Sequence, residues 1–99
     1  MIWHIVRFDM SGLDTTLREE IEADLAGLAE LEEVAWLRVA RDVEEPSFTG
    51  LLTGFVDVDA LAAYRVHPRH VPVVERIRGH GIPATRLDIA TDDDPRDLP

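Results

Sequence analysis

The segment from Tyr64 to His70 carries the side chains best suited to chemistry: one aromatic hydroxyl and the imidazoles of His67 and His70. Of the remaining histidines, His4 lies near the N-terminus and His80 follows the segment. Histidine changes charge near neutral pH, so it can take up and return a proton. A neutral imidazole can remove a proton beside a carbonyl group, and a tyrosine hydroxyl can donate a hydrogen bond to the resulting oxyanion. The segment therefore favours proton-transfer chemistry.

Each of these side chains also has a structural interpretation. Tyr64 can be a half-buried ring whose hydroxyl binds backbone or water. His67 precedes Pro68 and can hold a kink by bonding a free carbonyl, and His4 can be a core histidine. A zinc site is a third possibility, because His4, His67 and His70 would supply three imidazole ligands. Pro68 weakens the helical spacing between two of these ligands, so we predict no metal.

The composition limits the class of protein more than it identifies one. The chain has 99 residues, enough for one domain, and a formal net charge of −10. Nucleic acid and anionic membranes attract basic patches, so we expect neither as a partner. Cysteine is absent, which leaves no disulfide and no thiolate site. No apolar run approaches the roughly 18 residues of a membrane span, and the N-terminus does not resemble a signal peptide. The default expectation is a cytoplasmic protein.

The first half of the chain is predicted to contain three strands and one long helix. A helix over 14–30 follows from apolar residues at helical spacing, and Thr16 followed by Glu19 has the spacing of a capping box. Glycines in the third strand indicate close approach of another element, or a bend. Segments of β-branched and aromatic residues predict these three strands at 2–9, 34–43 and 48–57, and a fourth strand at 84–90 near the C-terminus.

Two short helices are predicted between the third and fourth strands. The first is capped by Asp57 or Asp59 and continues to Tyr64. Pro68 should end or kink it, because proline lacks an amide hydrogen and clashes with the preceding turn. The second runs over about 68–79. The break at Pro68 would turn both Tyr64 and His70 toward a cavity between the helices and the sheet.

The element order is β-α-β-β-α-β, which predicts an α+β ferredoxin-like fold with a four-stranded antiparallel sheet. Two helices would cover one face of that sheet. The first strand is apolar on both faces, so it should be central, and its odd face carries Trp3 and Ile5. Such a face would be a large exposed apolar patch in a monomer, and a second copy of the chain is the simplest cover. Residues 92–99 are acidic and are predicted to form a flexible tail.

Three segments of the chain resemble the stress-responsive A/B barrel domain (Dabb) family. Residues 1–8 (MIWHIVRF) resemble its opening strand, and residues 86–89 (RLDI) resemble its last strand. The specific match is the central signature, residues 59–64 (DALAAY) followed by 67–71 (HPRHV). The resemblance assigns residues 1–91 to this domain and leaves 92–99 as the tail.

The resemblance implies a homodimer in which two sheets face each other as an α/β barrel. One plant member of the family closes a linear polyketide by an aldol reaction without metal or cofactor, using a Tyr and a His of this signature. Carried over by motif, Tyr64 and His70 are the candidate catalytic residues, and His67 and His4 are candidate ligand-binding residues. Most members have no established activity. Three functions therefore remain open: a dimer that binds a small molecule, a cofactor-free cyclase or lyase, and a structural or regulatory dimer without ligand.

Overall fold

Four strands and three α-helices follow one another along residues 1–97, the part of the chain that this computed structural model describes. The strands are β1 (Ile2–Asp9), β2 (Trp36–Arg41), β3 (Phe48–Phe55) and β4 (Ala84–Ala90). The helices are α1 (Thr15–Gly27), α2 (Val58–Arg65) and α3 (His70–Gly79), with short 3-10 turns at Leu28–Glu30 and Pro95–Asp97. This order confirms the predicted ferredoxin-like plan. The longest helix has 13 residues, and within the described chain no helix is long and apolar enough to cross a membrane.

The sheet places β1 at its centre, as the apolar residues on both faces of that strand predicted. All neighbouring strands are antiparallel and lie in the order β2-β3-β1-β4. The register sets His4 opposite Thr53 of β3 and opposite Asp88 of β4. Directly opposed residues point to the same face of a sheet. These three polar side chains therefore share the face that bears the helices.

The hydrophobic core lies between the helices and the sheet, but β4 contributes nothing to it. Residues Val6 and Phe8 of β1 pack there, whereas all seven residues of β4 are exposed. The helix-side positions of β4 opposite β1 include Ala84, Arg86 and Asp88. Such residues are too small or too polar to bury against a helix. A gap consequently remains between α3 and β4.

Helix α1 begins at an aspartate cap. The carboxylate of Asp14 accepts a hydrogen bond from the N–H of Leu17 at 2.8 Å. Thr16, which its spacing to Glu19 had marked as the cap, lies inside the first turn, so the capping-box prediction is wrong. An aspartate at the cap also interacts favourably with the positive end of the helix dipole, which favours the earlier start.

The helical segment after β3 is divided where proline predicted. The carboxylate of Asp57 caps α2 by accepting from the N–H of Ala60 at 2.8 Å. The chain then leaves the helix, passes through Pro68 and starts again at His70. Gly81, with φ at +63°, follows the end of α3 and allows the sharp turn into β4. The break gives His70 the first position of a new helix.

The second face of the sheet, called the open face, carries no helix. Its central aromatic pair is Trp3 and Trp36, whose ring centroids lie 6.5 Å apart across Gly54. A Cβ at Gly54 would lie 3.1 Å from the sulfur of Met1, so the predicted close approach occurs at this glycine. Leu87 remains 57% exposed. The large apolar members of the open face are Trp3, Ile5, Trp36, Phe48, Leu52, Leu87 and Ile89.

Residues after β4 return to the start of β1. The N-terminal amine donates to the carbonyl of Thr91 at 2.9 Å, and the indole N–H of Trp3 donates to the carbonyl of Asp93 at 3.1 Å. Asp94 and Arg96 form an ion pair within the following turn. The flexibility of the acidic tail 92–99 stays a prediction, and its final residues, 98–99, lie outside the described residues.

The two candidate caps of α1 can be separated by mutation. Asp14→Ala should lower the free energy of unfolding by about 1 kcal/mol, because it removes the acceptor for an N–H of the first turn. Thr16→Ala should change it by less than about 0.5 kcal/mol, since that residue is inside the helix and alanine is a good helix former. Urea denaturation at neutral pH measures both. A larger loss from Thr16→Ala than from Asp14→Ala would contradict the assignment.

Candidate functional site

A cavity of about 750 Å³ lies between α3 and the helix-side face of the sheet. Two imidazoles, those of His4 and His70, form part of its wall. The volume falls within the range of small-molecule sites, about 300–1,000 Å³. Most of the remaining wall is aliphatic, contributed by α1, β1, β3 and α3: Val6, Leu25, Leu51, Val73, Val74 and Ile77.

His4 lies in the middle of the sheet and is held by a carboxylate of the next strand. Its residue is only 6% exposed, and its Nδ1 is hydrogen-bonded to Oδ1 of Asp88, directly opposite in β4. The other oxygen of Asp88 accepts from the guanidinium of Arg65 at 2.8 Å. An ionised carboxylate can only accept hydrogen bonds, so Nδ1 of His4 carries the proton and Nε2 is the basic nitrogen.

His70 is the first residue of α3 and uses its ring in a similar way. Its Nδ1–H donates to the backbone carbonyl of Arg65 at 3.2 Å, which again leaves Nε2 as the basic nitrogen. Burial lowers the pKa of His70 below its usual value, and the neighbouring charges of His4, His67 and Arg65 act in the same direction. The hydrogen bond to the Arg65 carbonyl only partly opposes this. His70 is therefore a neutral imidazole at neutral pH.

Tyr64 packs behind His70 and does not line the cavity. Its ring is 1% exposed and lies 4.2 Å from the ring of His70, 6.1 Å from that of His4 and 4.9 Å from that of Phe55, measured between centroids. Its hydroxyl is buried and has no hydrogen-bond partner among residues 1–97. Burial raises its pKa, so the hydroxyl stays protonated and keeps its hydrogen for donation to an acceptor.

His67 lies away from the cavity. Its Nδ1 accepts from the backbone N–H of Arg69 at 3.0 Å, and its Nε2 lies 3.9 Å from a carboxylate oxygen of Glu33. This ring supports the turn between α2 and α3. His4, His67 and His70 consequently do not converge, and in the described part of the chain no group of three or more His, Cys, Asp or Glu side chains could hold a metal ion. His80 is exposed beyond the end of α3.

Asp88 and Arg65 are site residues that the sequence reasoning missed. A usable signal existed for Asp88: the apolar residues of the last strand, Leu87 and Ile89, alternate with it, which places Asp88 on the opposite face from them. What the sequence lacked was the register that sets Asp88 against His4. Arg65 carried no signal, because its contact depends on where α2 ends above the sheet.

The assembled site can bind an apolar molecule and move a proton. It offers two imidazoles whose Nδ1 atoms are both occupied and whose Nε2 atoms are basic. Contact with its aliphatic wall strengthens electrostatic interactions with a bound molecule, because such a wall is less polarisable than water. Such a site is suited to removing a proton from carbon and returning it elsewhere on the same molecule.

The comparisons with known proteins give a family and a set of similar folds. The profile of the stress responsive A/B barrel domain (Dabb) family matches residues 2–86. Among curated proteins, none matches the chain. A solved Dabb family protein with a ferredoxin-like fold from Mesorhizobium loti is 24% identical, with a TM-score of 0.74 and coverage of 91% of this chain and 95% of that chain.

Two more distant structures share the fold. A dimeric protein of unknown function from Bacteroides fragilis is 16% identical, with a TM-score of 0.70 and coverage of 91% and 95% of the two chains. A cofactor-independent oxygenase from Streptomyces nogalater is 12% identical, with a TM-score of 0.76 and coverage of 97% of each chain. At these identities the similarity concerns the fold. The family match spans β1 to the middle of β4 and includes His4, Tyr64, His67 and His70, and on this basis the chain belongs to the stress responsive A/B barrel domain family.

Proposed function

We propose that this protein binds a small carbonyl compound in the cavity and removes a proton from the carbon next to the carbonyl group. The observation that carries the proposal is that His4 and His70, far apart in sequence, meet in one aliphatic cavity with their Nε2 atoms basic. The signature shared with a cofactor-free cyclase supports the same chemistry. The reaction class is an aldol-type cyclisation that needs no metal or cofactor.

His70 is the proposed base. Its Nε2 takes the proton, and the electron pair of the broken C–H bond moves onto the carbonyl oxygen to give an enolate. The enolate carbon attacks a second carbonyl carbon of the same molecule, which forms a C–C bond and an alkoxide. The protonated imidazole then returns its proton to that alkoxide. Atoms and electrons balance without an oxidant, and the lowered pKa keeps His70 ready to accept a proton at neutral pH.

His4 is proposed to contact the ligand rather than to act as the base. Asp88 and Arg65 hold its ring against the cavity, so it can orient a bound molecule without moving. His67 does not line the cavity, and the proposal gives it the role of supporting the break between α2 and α3.

Tyr64 is the proposed donor to the enolate oxygen. Its hydroxyl is protonated, buried and without a partner among the described residues, and a buried donor without a partner gains most from a new acceptor. Because the ring of Tyr64 lies behind that of His70, a shift of the His70 ring is needed to bring the hydroxyl to the cavity. This requirement makes the role of Tyr64 separately testable.

Two simpler functions share the same structure. A protein that only binds and carries a small molecule needs the cavity but not the basic nitrogens. A purely structural or regulatory dimer needs neither. A cavity of about 750 Å³ with convergent imidazoles favours a ligand over a purely structural role, and the exchange experiment below separates catalysis from binding.

We also propose that two copies pair through their open faces to form an α/β barrel. The half-buried tryptophans, Trp3 and Trp36, lie with aliphatic side chains on a sheet face that no described helix covers. Arg7 stacks on Phe48 with its guanidinium carbon 3.5 Å from the ring centroid, which keeps even a charged residue flat against this face. A protein of similar fold from Bacteroides fragilis is dimeric. Because the net charge is −10, the proposal includes no nucleic-acid or membrane partner. It places the protein in the cytoplasm.

Deuterium exchange into heptanoylacetone, an uncharged linear β-diketone, tests the proton-abstraction step. Wild-type protein should accelerate the loss of the central methylene signal in NMR spectra recorded in heavy water. His70→Ala should reduce the accelerated rate by about 10²-fold or more, the usual contribution of a general base. His80→Ala, which removes an exposed histidine outside the cavity, is the matched control and should not change the rate.

The pH profile gives the same experiment a second readout. Only neutral His70 can accept a proton, and its pKa lies below about 6.5. The exchange rate should therefore rise with pH, reach half its maximum below about pH 6.5 and be constant at neutral pH. Equal rates for wild type and His70→Ala, or a midpoint above the ordinary histidine value, would refute His70 as the base.

Tyr64→Phe distinguishes a donor from a packing residue. The substitution removes a hydroxyl that has no partner, so the free energy of unfolding should stay unchanged or rise by up to about 1 kcal/mol. If the hydroxyl stabilises the enolate, the exchange rate should fall by about 10²-fold. Unfolding curves and the NMR assay measure the two effects. An unchanged exchange rate would leave Tyr64 as a packing residue behind His70.

Trp3→Glu tests the dimer. The open face should bury more than about 1,200 Å² in total between two copies, and an unpaired carboxylate at its centre should give a monomer or an aggregate. Val43→Glu is the matched control, because Val43 is 95% exposed and lies between β2 and β3 outside the open face. Light scattering at micromolar concentration measures the mass. A stable wild-type monomer would exclude the proposed assembly.

A further inference from the structure

The charges around the cavity are opposite in sign to those of the whole chain. The chain has 20 acidic residues and 10 arginines. The cavity wall includes Arg65, Arg78 and Arg86 but only one acidic residue, Glu75. A cavity lined by one sign of charge raises the local concentration of ligands of the other sign. The wall of this acidic protein is thus arranged to favour an anion.

The cavity has two chemically different ends. His70 begins α3 and Arg78 lies near its end, eight residues or about 12 Å along the helix axis. The part of the wall formed by β1 runs in the same direction, from His4 to Phe8. Phe8 lies at the Arg78 end because it pairs with Ala84, which follows the turn after α3. The imidazoles therefore lie at one end, Arg78 at the other, and aliphatic side chains between them.

The arginines near the cavity differ in whether a carboxylate already engages them. Arg65 is paired with Asp88 at 2.8 Å, and Arg86 lies 3.8 Å from the same carboxylate. Arg76 lies on the side of α3 that faces α1 and pairs with two carboxylates of α1 at 2.6 and 2.8 Å. Arg78 makes no salt bridge within residues 1–97. A cation in the last turn interacts favourably with the helix dipole, and Arg78 is the one arginine of the cavity wall that has no carboxylate partner among residues 1–97.

We propose that the cavity takes a linear amphipathic anion about as long as the distance between its two ends. The carboxylate of the ligand binds Arg78, at the end of the cavity away from the imidazoles. The apolar chain lies along the aliphatic wall, in contact with Val74 and Ile77. In the functional reaction this orientation sets the carbonyl region of the ligand at the imidazoles, a point that rests on the proposed function.

Binding of decanoate and decanol, measured by isothermal titration calorimetry on the full chain, tests the inference. Decanoate should bind more tightly than decanol. Arg78→Gln should weaken decanoate binding about twofold to fivefold, as expected for a partly exposed ion pair, and should leave decanol binding unchanged. Two matched controls remove the same charge elsewhere: Arg76→Gln on the α1 side of α3, and Arg38→Gln beside Trp36 on the open face.

The outcomes separate this inference from the proposed function. Equal affinity for decanoate and decanol, or an unchanged affinity in Arg78→Gln, overturns the anion site. A loss of decanoate binding in Arg38→Gln instead of Arg78→Gln places the anion on the open face and also overturns it. The exchange reaction uses an uncharged diketone, so it can succeed while the anion site fails. Decanoate binding that depends on Arg78 without any exchange activity would support the anion site and refute catalysis.

Discussion

The carboxylate of Asp88 is the contact on which the site depends. It lies on β4 and joins that strand to His4 of β1 and to the Arg65 side chain at the end of α2. The Asp88 side chain is 23% exposed, although the residue as a whole is exposed, and both of its oxygens are engaged: one takes an imidazole N–H and the other a guanidinium N–H. Removing a carboxylate even partly from water is costly unless such partners are present. The backbone carbonyl of Arg65 in turn accepts from His70. Arg65 thereby links both imidazoles: its side chain reaches His4 through Asp88, and its backbone carbonyl binds His70.

The same polar character of β4 creates the cavity. A strand whose helix-side positions include Arg86 and Asp88 cannot be covered by an apolar helix, because burying those groups without partners would cost more than the packing returns. α3 therefore contacts the core through Ile77 and leaves the edge strand uncovered. The polar side chains that limit the core and the carboxylate that holds His4 belong to the same strand, β4. The position of His4 and the cavity therefore share one physical origin.

The two faces of β1 separate the proposed assembly surface from the proposed site. Trp3 and His4 are neighbours in sequence but point to opposite faces of the sheet, one to the open face and one to the cavity. Association through the open face would leave the cavity accessible on the helix side.

The sequence by itself determined the elements and the face to which each residue points. Alternation placed His4 and Trp3 on opposite faces of a central strand, and the ring geometry of Pro68 required the helix break that starts α3 at His70. Only the tertiary structure decided which residues meet. It set Asp88 against His4, brought Arg65 to both imidazoles, placed Tyr64 behind His70 and turned His67 toward Glu33. Local periodicity reports directions within one element, whereas these contacts depend on strand register and on distances between elements, and no local pattern encodes those.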